Sequence, residues 1–581
     1  MNRFYTAALC LLLAAGCGDS GTKGDTKDGE IVGTEATFLS NFRLIPGDGS
    51  PPIENATMIL NKDKIYQIGK EKELKPPKGS LQLDMDSHTI LPMLINLNAY
   101  PGLNNAGTFG AKNYKRDSLT TDLNRYEYYG VTAIVAGGDS DGLAFQVRDE
   151  QKQGKATGAQ LYTSGRGIAA KGGSGDMGDI PDLVSSAADA RKAVSELADR
   201  KADIIVLWAN DMKADTAAAV IDEAHKHKLK VFADAPGLAE AKGVVKAGVD
   251  ALIASVRDSE IDNELVSLMK EKKISYAPAL SSLQSQFVYT EKPKWLGESL
   301  MREVYPAGLS AYLEDPVFVA RIKRRAESSN ARQQYMTASK NLKKLADGGV
   351  TIAFGSGSGL YGTFPGYFEH LELELMVDAG LSTAEVIKAA TASSASALGA
   401  SDLGVLAPGK KANFTIVTDN PLDKISNTKG IDEVYINGKQ VDRQELKRNI
   451  HNELPQITKG ERDAEATLAA KEAEAAAEAK LQHYGNGKFV LGSSLNVGAG
   501  LIVPTPKHAK TSATPGPPYR VTIAFPGAAG ADLQAFYKET LKGWSVSGTC
   551  WERPVPGEDT KKFRACPEAS AGQIILNITK Q

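Results

Sequence analysis

The sequence predicts an α/β fold: a parallel (β/α)8 barrel with β-rich flanks and a small α+β domain behind it. Three observations carry that expectation. Between Thr89 and Gly357, short β-rich apolar runs alternate with longer segments of helical pattern, and about eight such runs are present. The β-rich pieces on either side, Ala36–Leu83 and Leu403–Asp442, are each too short to bury a core alone. Past Arg443 the chain turns to Ala, Glu and Lys. A length of 581 residues, 42% apolar and 24% charged, is ordinary for globular protein and implies more than one domain. The formal net charge of -2, with both signs interspersed, argues against a surface that displaces counter-ions from nucleic acid.

The first element reads as an export signal. Residues 1–17 place Arg3 as a basic head before the apolar Phe4–Leu13 stretch, and Ala14, Ala15 and Gly16 lead into Cys17. This resembles a bacterial lipoprotein signal, which implies cleavage and lipidation at Cys17, and so a membrane partner. A short transmembrane anchor is the competing reading, but the run falls short of the ~20 apolar residues that cross a bilayer. Residues 18–31 follow as a polar, Gly-rich tether with too little apolar surface to fold. Gly18 after the cysteine favours the outer membrane, with the chain facing the periplasm. Losing Cys10 with the signal and lipidating Cys17 leaves Cys550 and Cys566. One disulfide between them is the economical reading in an oxidising compartment, and two free thiols are the alternative. Such a short loop contributes about 3 kcal/mol when closed.

The barrel strands are read at Thr89–Leu97, Val131–Gly137, Ala159–Ser164, Asp203–Ala209, Lys230–Ala235, Asp250–Ser255, Ile274–Leu280 and Val350–Gly355. Thr216–His227 and Leu238–Ala247 each present an apolar face, and Gly348–Gly349 closes the helix before the last strand. In the flanks, Met58–Ile65 and Lys64–Gly69 read as strands, as do parts of ANFTIVTDNPL and VYINGKQV. The two flanks are expected to pair into one composite domain.

The order NFRLIPGDGSPPIENATMILNKDKIYQIG, then HTILPMLINLNAY, then LGVLAPGKKANFTIVTDNPLDKI with VYINGKQV resembles the imidazolonepropionase-like branch of the amidohydrolase superfamily. The resemblance covers about Ile31–Arg443, and PGKKANFTIV with DNPL is its most specific part. It implies a composite β-sandwich, at 32–88 and 401–447, bracketing a TIM-type barrel at 89–400. It also implies a mono- or binuclear metal at the barrel mouth, where activated water hydrolyses C–N bonds of cyclic or linear amides. Lowering the pKa of water towards neutrality takes several imidazole or carboxylate donors in fixed geometry. The family supplies a His-x-His pair after strand one, a lysine on strand four, histidines after strands five and six, and an aspartate after strand eight.

On those positions this chain carries Asn98 and Tyr100, Val206, Ala233, Ala254 and Gly357, and the preceding aspartate is Asn96. No metal and no other cofactor is therefore expected. Asp234 lies beside Ala233, but neighbouring residues of a strand point to opposite sides. The seven histidines offer no substitute. His88 precedes the first strand; His225 and His227 lie about 200° apart on a helix; His370, between Glu369 and Glu372, reads as a surface residue; His451, His483 and His508 lie beyond the barrel.

A metal-free mouth has two readings of equal weight. Asn98, Tyr100, Trp208, Asp234, Ser356 and Ser358 line a polar and aromatic ligand pocket, or the small replacements let the pocket collapse. The Gly-rich stretch Gly165–Gly178 lacks the context of a phosphate cradle and reads as a mobile barrel loop. The long connection Ser281–Asp347, helical over Val317–Lys344, reads as a lid beside the mouth. Its Tyr289, Trp295 and Tyr305 either contact a ligand or pack the insertion.

Behind the barrel, 448–484 contains the Ala/Glu/Lys-rich Lys459–Lys480, a spacer helix with no coiled-coil seam. The last segment, 485–581, has strand signals at Tyr519–Phe525, Trp544–Glu552, Lys561–Cys566 and Gln573–Thr579 and a helix at Ala531–Lys542. The expectation is a lipid-anchored pseudoenzyme that binds an unknown small-molecule or protein ligand and no nucleic acid. The rival is an active hydrolase of non-peptide C–N bonds. A metal-free enzyme using Asp234 or Tyr100 as acid or base lacks a recognisable partner pair.

Overall fold

The computed structural model describes residues 35–105, 108–139, 142–173, 179–305, 308–450, 457–479, 483–484, 489–498, 501–506, 508–514, 519–524, 530–541, 544–547, 550–555, 558–570 and 573–581. The expected signal, the lipidation residue Cys17 and the tether lie outside them. The chain divides into two compact units, one ending at Ile457 and one spanning Thr458–Gln581. Among the described residues, no helix is long and apolar enough to cross a membrane.

In the first unit, Ala36–Leu44 pairs antiparallel with Ile53–Asn61, which pairs with Lys64–Lys70. On its other side Ala36–Leu44 runs parallel to Thr89–Pro92, and Thr89–Pro92 lies antiparallel to Phe414–Val417 from the far end of the unit. Ile431–Ile436 continues the sheet. Lys64 bridges back to Lys411, so the eight-stranded sheet curls onto itself around Leu39, Phe42, Met58, Ile90, Phe414 and Ile416. The two flanks thus share one core that neither supplies alone.

The single strand expected at Thr89–Leu97 is two. Pro92 has no N–H to give a ladder, and the chain changes partners there: Thr89–Pro92 stays in the composite sheet while Leu94–Ala99 opens the barrel. Val131–Ala136 and Gln160–Thr163 follow in parallel. Ile205–Trp208, Val231–Asp234, Ala251–Leu252 and Ser275–Tyr276 continue the order. The Asp203 amide bonds the Thr163 carbonyl at 3.0 Å, joining the third strand to the fourth. The eighth segment has only bridge pairing, Tyr276 to Ile352 and Ala99 to Ser358, yet it closes the ring. Most residues of these strands are buried, as a barrel wrapped by helices requires.

Helices Ala214–Lys226 and Leu238–Ala247 cover the outside, the latter ended by Gly248 at φ 95. Within the long insertion the helical pattern breaks at Asn330, whose left-handed φ of 56 separates Pro316–Ser329 from Ala331–Asp347.

The second unit holds a helix, Lys459–Ala479, and a six-stranded antiparallel sheet. Helix Gly530–Thr540 buries Leu533, Phe536 and Tyr537 with Val521, Ile523, Leu576 and Ile578 of that sheet. Cys550 and Cys566 form a disulfide between adjacent strands, one step from the Trp551–Ala565 pair.

Candidate binding site at the barrel mouth

Which side chains enter the barrel follows from contacts between strands that are not neighbours, because such strands meet only across the interior. Trp208, on the fourth strand, donates its indole N–H to the Tyr100 hydroxyl at the end of the first, at 3.1 Å. Asn98 gives its amide N–H to the Ile253 carbonyl, past the sixth strand, at 2.6 Å. Trp208 pairs in register with Asp234, so Asp234 points inward beside it, and Val206, two residues earlier, shares that face.

This corrects the fifth-strand assignment. Ala233 pairs with Leu207 and belongs to the opposite face, so Asp234 rather than Ala233 faces the mouth. The one-residue ambiguity of a short apolar strand is invisible in sequence and is resolved by pairing. Ala254 lies just past the sixth strand, buried.

The residues at the six positions do not fit a catalytic metal. Asn98 has spent its amide on Ile253, and Val206 and Ala254 have no donor atom. Gly357 sits at φ +69, where a Cβ would lie 2.7 Å from Ser282 Cβ, so no aspartate fits without displacing its surroundings. Asp234 adds one inward carboxylate. Among the described residues, no group of three or more His, Cys, Asp or Glu side chains is placed to hold an ion.

Of the six pocket residues expected from sequence, the structure gathers Tyr100, Trp208 and Asp234, with Asn98 beneath. The rings of Tyr100 and Trp208 lie 6.4 Å apart, and Phe109 meets Tyr100 edge-on. Burial and the charge of Asp234 push the Tyr100 phenol up. Burial also pushes the Asp234 carboxyl up, against the pull of Arg257. Arg257 was not expected here; nothing in its local sequence sets it apart from a surface arginine.

Ser356 and Ser358 are used elsewhere. Their hydroxyls donate to Glu369 Oε1 at 2.7 and 2.6 Å, joined by the Asn96 amide at 2.7 Å, while the Gly366 amide donates to Oε2 at 2.7 Å. Glu372, one turn on, accepts from the amides of Leu280 and Ser281. Both carboxyls are wholly buried, and burial pushes Glu372 up to about 8. The signal for these two was present: apolar residues of YFEHLELELM recur on every side of the helix, so Glu369, His370 and Glu372 between them are buried too.

His370 on the same helix is a correction. It is 3% exposed, lies 3.0 Å from Thr428 Oγ1 and 2.9 Å from the Tyr129 carbonyl, and burial holds it down at about 4. His225 and His227 are surface residues, near Asp250 and Glu223. In the insertion, Tyr289 and Tyr305 donate to the carbonyls of Gly362 and Pro365, and Trp295 packs on Tyr367 and Phe368. These aromatics fasten the insertion to the loop after the eighth segment. The Gly-rich stretch contributes a short strand, Ile168–Ala170, against Ile205–Trp208; residues 174–178 lie outside the described set.

Residues 189–441 match the amidohydrolase family. No curated protein matches the chain. In fold it is similar to an Xaa-Pro dipeptidase with bound methionine in the active site, 22% identical over 70% of this chain and 99% of that one, at a TM-score of 0.58. It is similar also to A. niger ochratoxinase, 20% identical over 70% and 95% at 0.57. Phenylurea hydrolase B is 18% identical over 73% and 100% at 0.57. At these identities the likeness is one of fold.

Proposed function

We propose that this chain, which carries an amidohydrolase-family domain, is a non-hydrolytic member that binds a ligand at the barrel mouth or acts as a scaffold. A lipid on Cys17 holds it at the cell envelope, in the outer membrane facing the periplasm. The observation that carries this reading is the fate of the expected donor positions: none keeps an imidazole, lysine or carboxylate, and Asn98 and Gly357 are committed to other packing. Hydrolysis in this fold depends on an electrophile that several donors must hold. A lone Asp234 does not hold one.

The second reading, an active hydrolase of non-peptide C–N bonds, is favoured by the fold neighbours, which include a dipeptidase, ochratoxinase and phenylurea hydrolase. Assaying the full-length chain on a panel of N-acyl amino acids, cyclic imides and phenylureas, with Zn2+, Mn2+, Fe2+ or Ni2+ supplied, separates the two. The proposal expects no turnover above the buffer rate. Turnover that chelation abolishes establishes the hydrolase instead.

A further inference from the structure

At the mouth an acid and a base stand near each other without bonding. The Asp234 Oδ1 atom is shielded from solvent and has no hydrogen-bond partner. A buried acceptor left in that state costs about 1–3 kcal/mol, more when charged. Arg257 is fixed by its backbone amide to Pro236, at 2.8 Å, and one guanidinium nitrogen donates to the Ser255 carbonyl at 3.2 Å. Pro236 follows the fifth strand and Ser255 the sixth, so these two bonds set Arg257 at the end of the barrel that carries Asp234, and its charge is felt at Asp234, Tyr100 and Tyr276. The Tyr100 hydroxyl accepts from Trp208 and, among the described residues, donates to nothing. The rings of Trp208 and Tyr100 lie 6.4 Å apart, and Asp234 stands in register beside Trp208.

A cation alone is attracted by Asp234 and repelled by Arg257, and an anion alone meets the reverse. A molecule carrying both charges a few bonds apart satisfies both. We infer that the mouth takes a zwitterion of the α-amino-acid class, its ammonium on Asp234, its carboxylate on Arg257 and Tyr100, and its side chain against Trp208. This rests on the proposed non-hydrolytic reading and names its ligand class. Charge-assisted hydrogen bonds at both ends provide the selectivity.

Calorimetric titration of the full-length chain with phenylalanine, phenylalaninamide, N-acetylphenylalanine and glycine tests this. Phenylalanine is expected to bind at one per chain, and each blocked form at least ~10-fold more weakly, the loss of one charged hydrogen bond. Asp234→Asn is expected to weaken phenylalanine ~10–100-fold while leaving the melting temperature unchanged or higher, since it removes a buried charge. Arg257→Gln weakens phenylalanine and spares the amide. Equal binding of a blocked form, failure of both phenylalanine and glycine to bind, or unaltered affinity in both variants overturns the ligand class. Cleavage of the amide or acetyl bond, followed by chromatography in the same samples with metal supplied, overturns instead the reading beneath it.

Discussion

His370 and Glu372 lie two residues apart on one buried helix, and burial shifts them in opposite directions, to about 4 and about 8. The imidazole titrates near 6.5 when unfolded and lower when folded, so its contribution is present above ~6.5 and is lost as pH falls towards its folded value. The Glu372 carboxyl is raised, so its contribution is present below ~4.3 and is lost as pH rises towards its folded value. The two slopes largely cancel between those unfolded values. Of the two, only Glu372 acts between roughly pH 6.5 and 8, where its contribution is expected to fall by about 2 kcal/mol, and Glu127, raised by burial to about 7, adds to the decline. Denaturant melts across that window check this: Glu372→Gln should remove about 2 kcal/mol of the decline and uncover the acid-side loss from His370. At this scale the sequence was hard to read. Asp234 against Ala233 is a question of strand register, and His370 between two glutamates looks like a surface histidine until the whole helix is recognised as buried.

Among the elements, the barrel strands were legible because parallel strands buried on both faces give uninterrupted apolar runs. The split of Thr89–Leu97 at Pro92 and the hinge at Asn330 were not, since each is a change of partner within a continuous pattern. The eighth segment leaves no room for an aspartate at its end. Its turn puts Gly357 at φ +69 against Ser282, while Ser356 and Ser358 are bound to Glu369 behind it. Gly357→Asp is therefore expected to lower stability by about 2 kcal/mol or more and to take up no metal, even alongside Asn98→His and Tyr100→His. Thermal melts and metal titration of the triple variant check this; a variant as stable as the parent that binds an ion contradicts it.

For the molecule as a whole, the fold and the shared core of its two flanks could be read from sequence, because a β-rich piece too short to fold alone must find its complement. The ligand could not, because it depends on which side chains converge across a barrel. The anchor is tested in cells: Cys17→Ala is expected to abolish incorporation of labelled fatty acid and release the chain from the membrane fraction, and unchanged labelling would reject Cys17 as the lipid site. The central claim, that this barrel does not grip a catalytic ion, is tested most directly by elemental analysis of the purified full-length chain. Well under one equivalent of Zn, Mn, Fe or Ni per chain is expected; an equivalent or more, lost from the barrel together with turnover on chelation, would show that the barrel holds a catalytic ion.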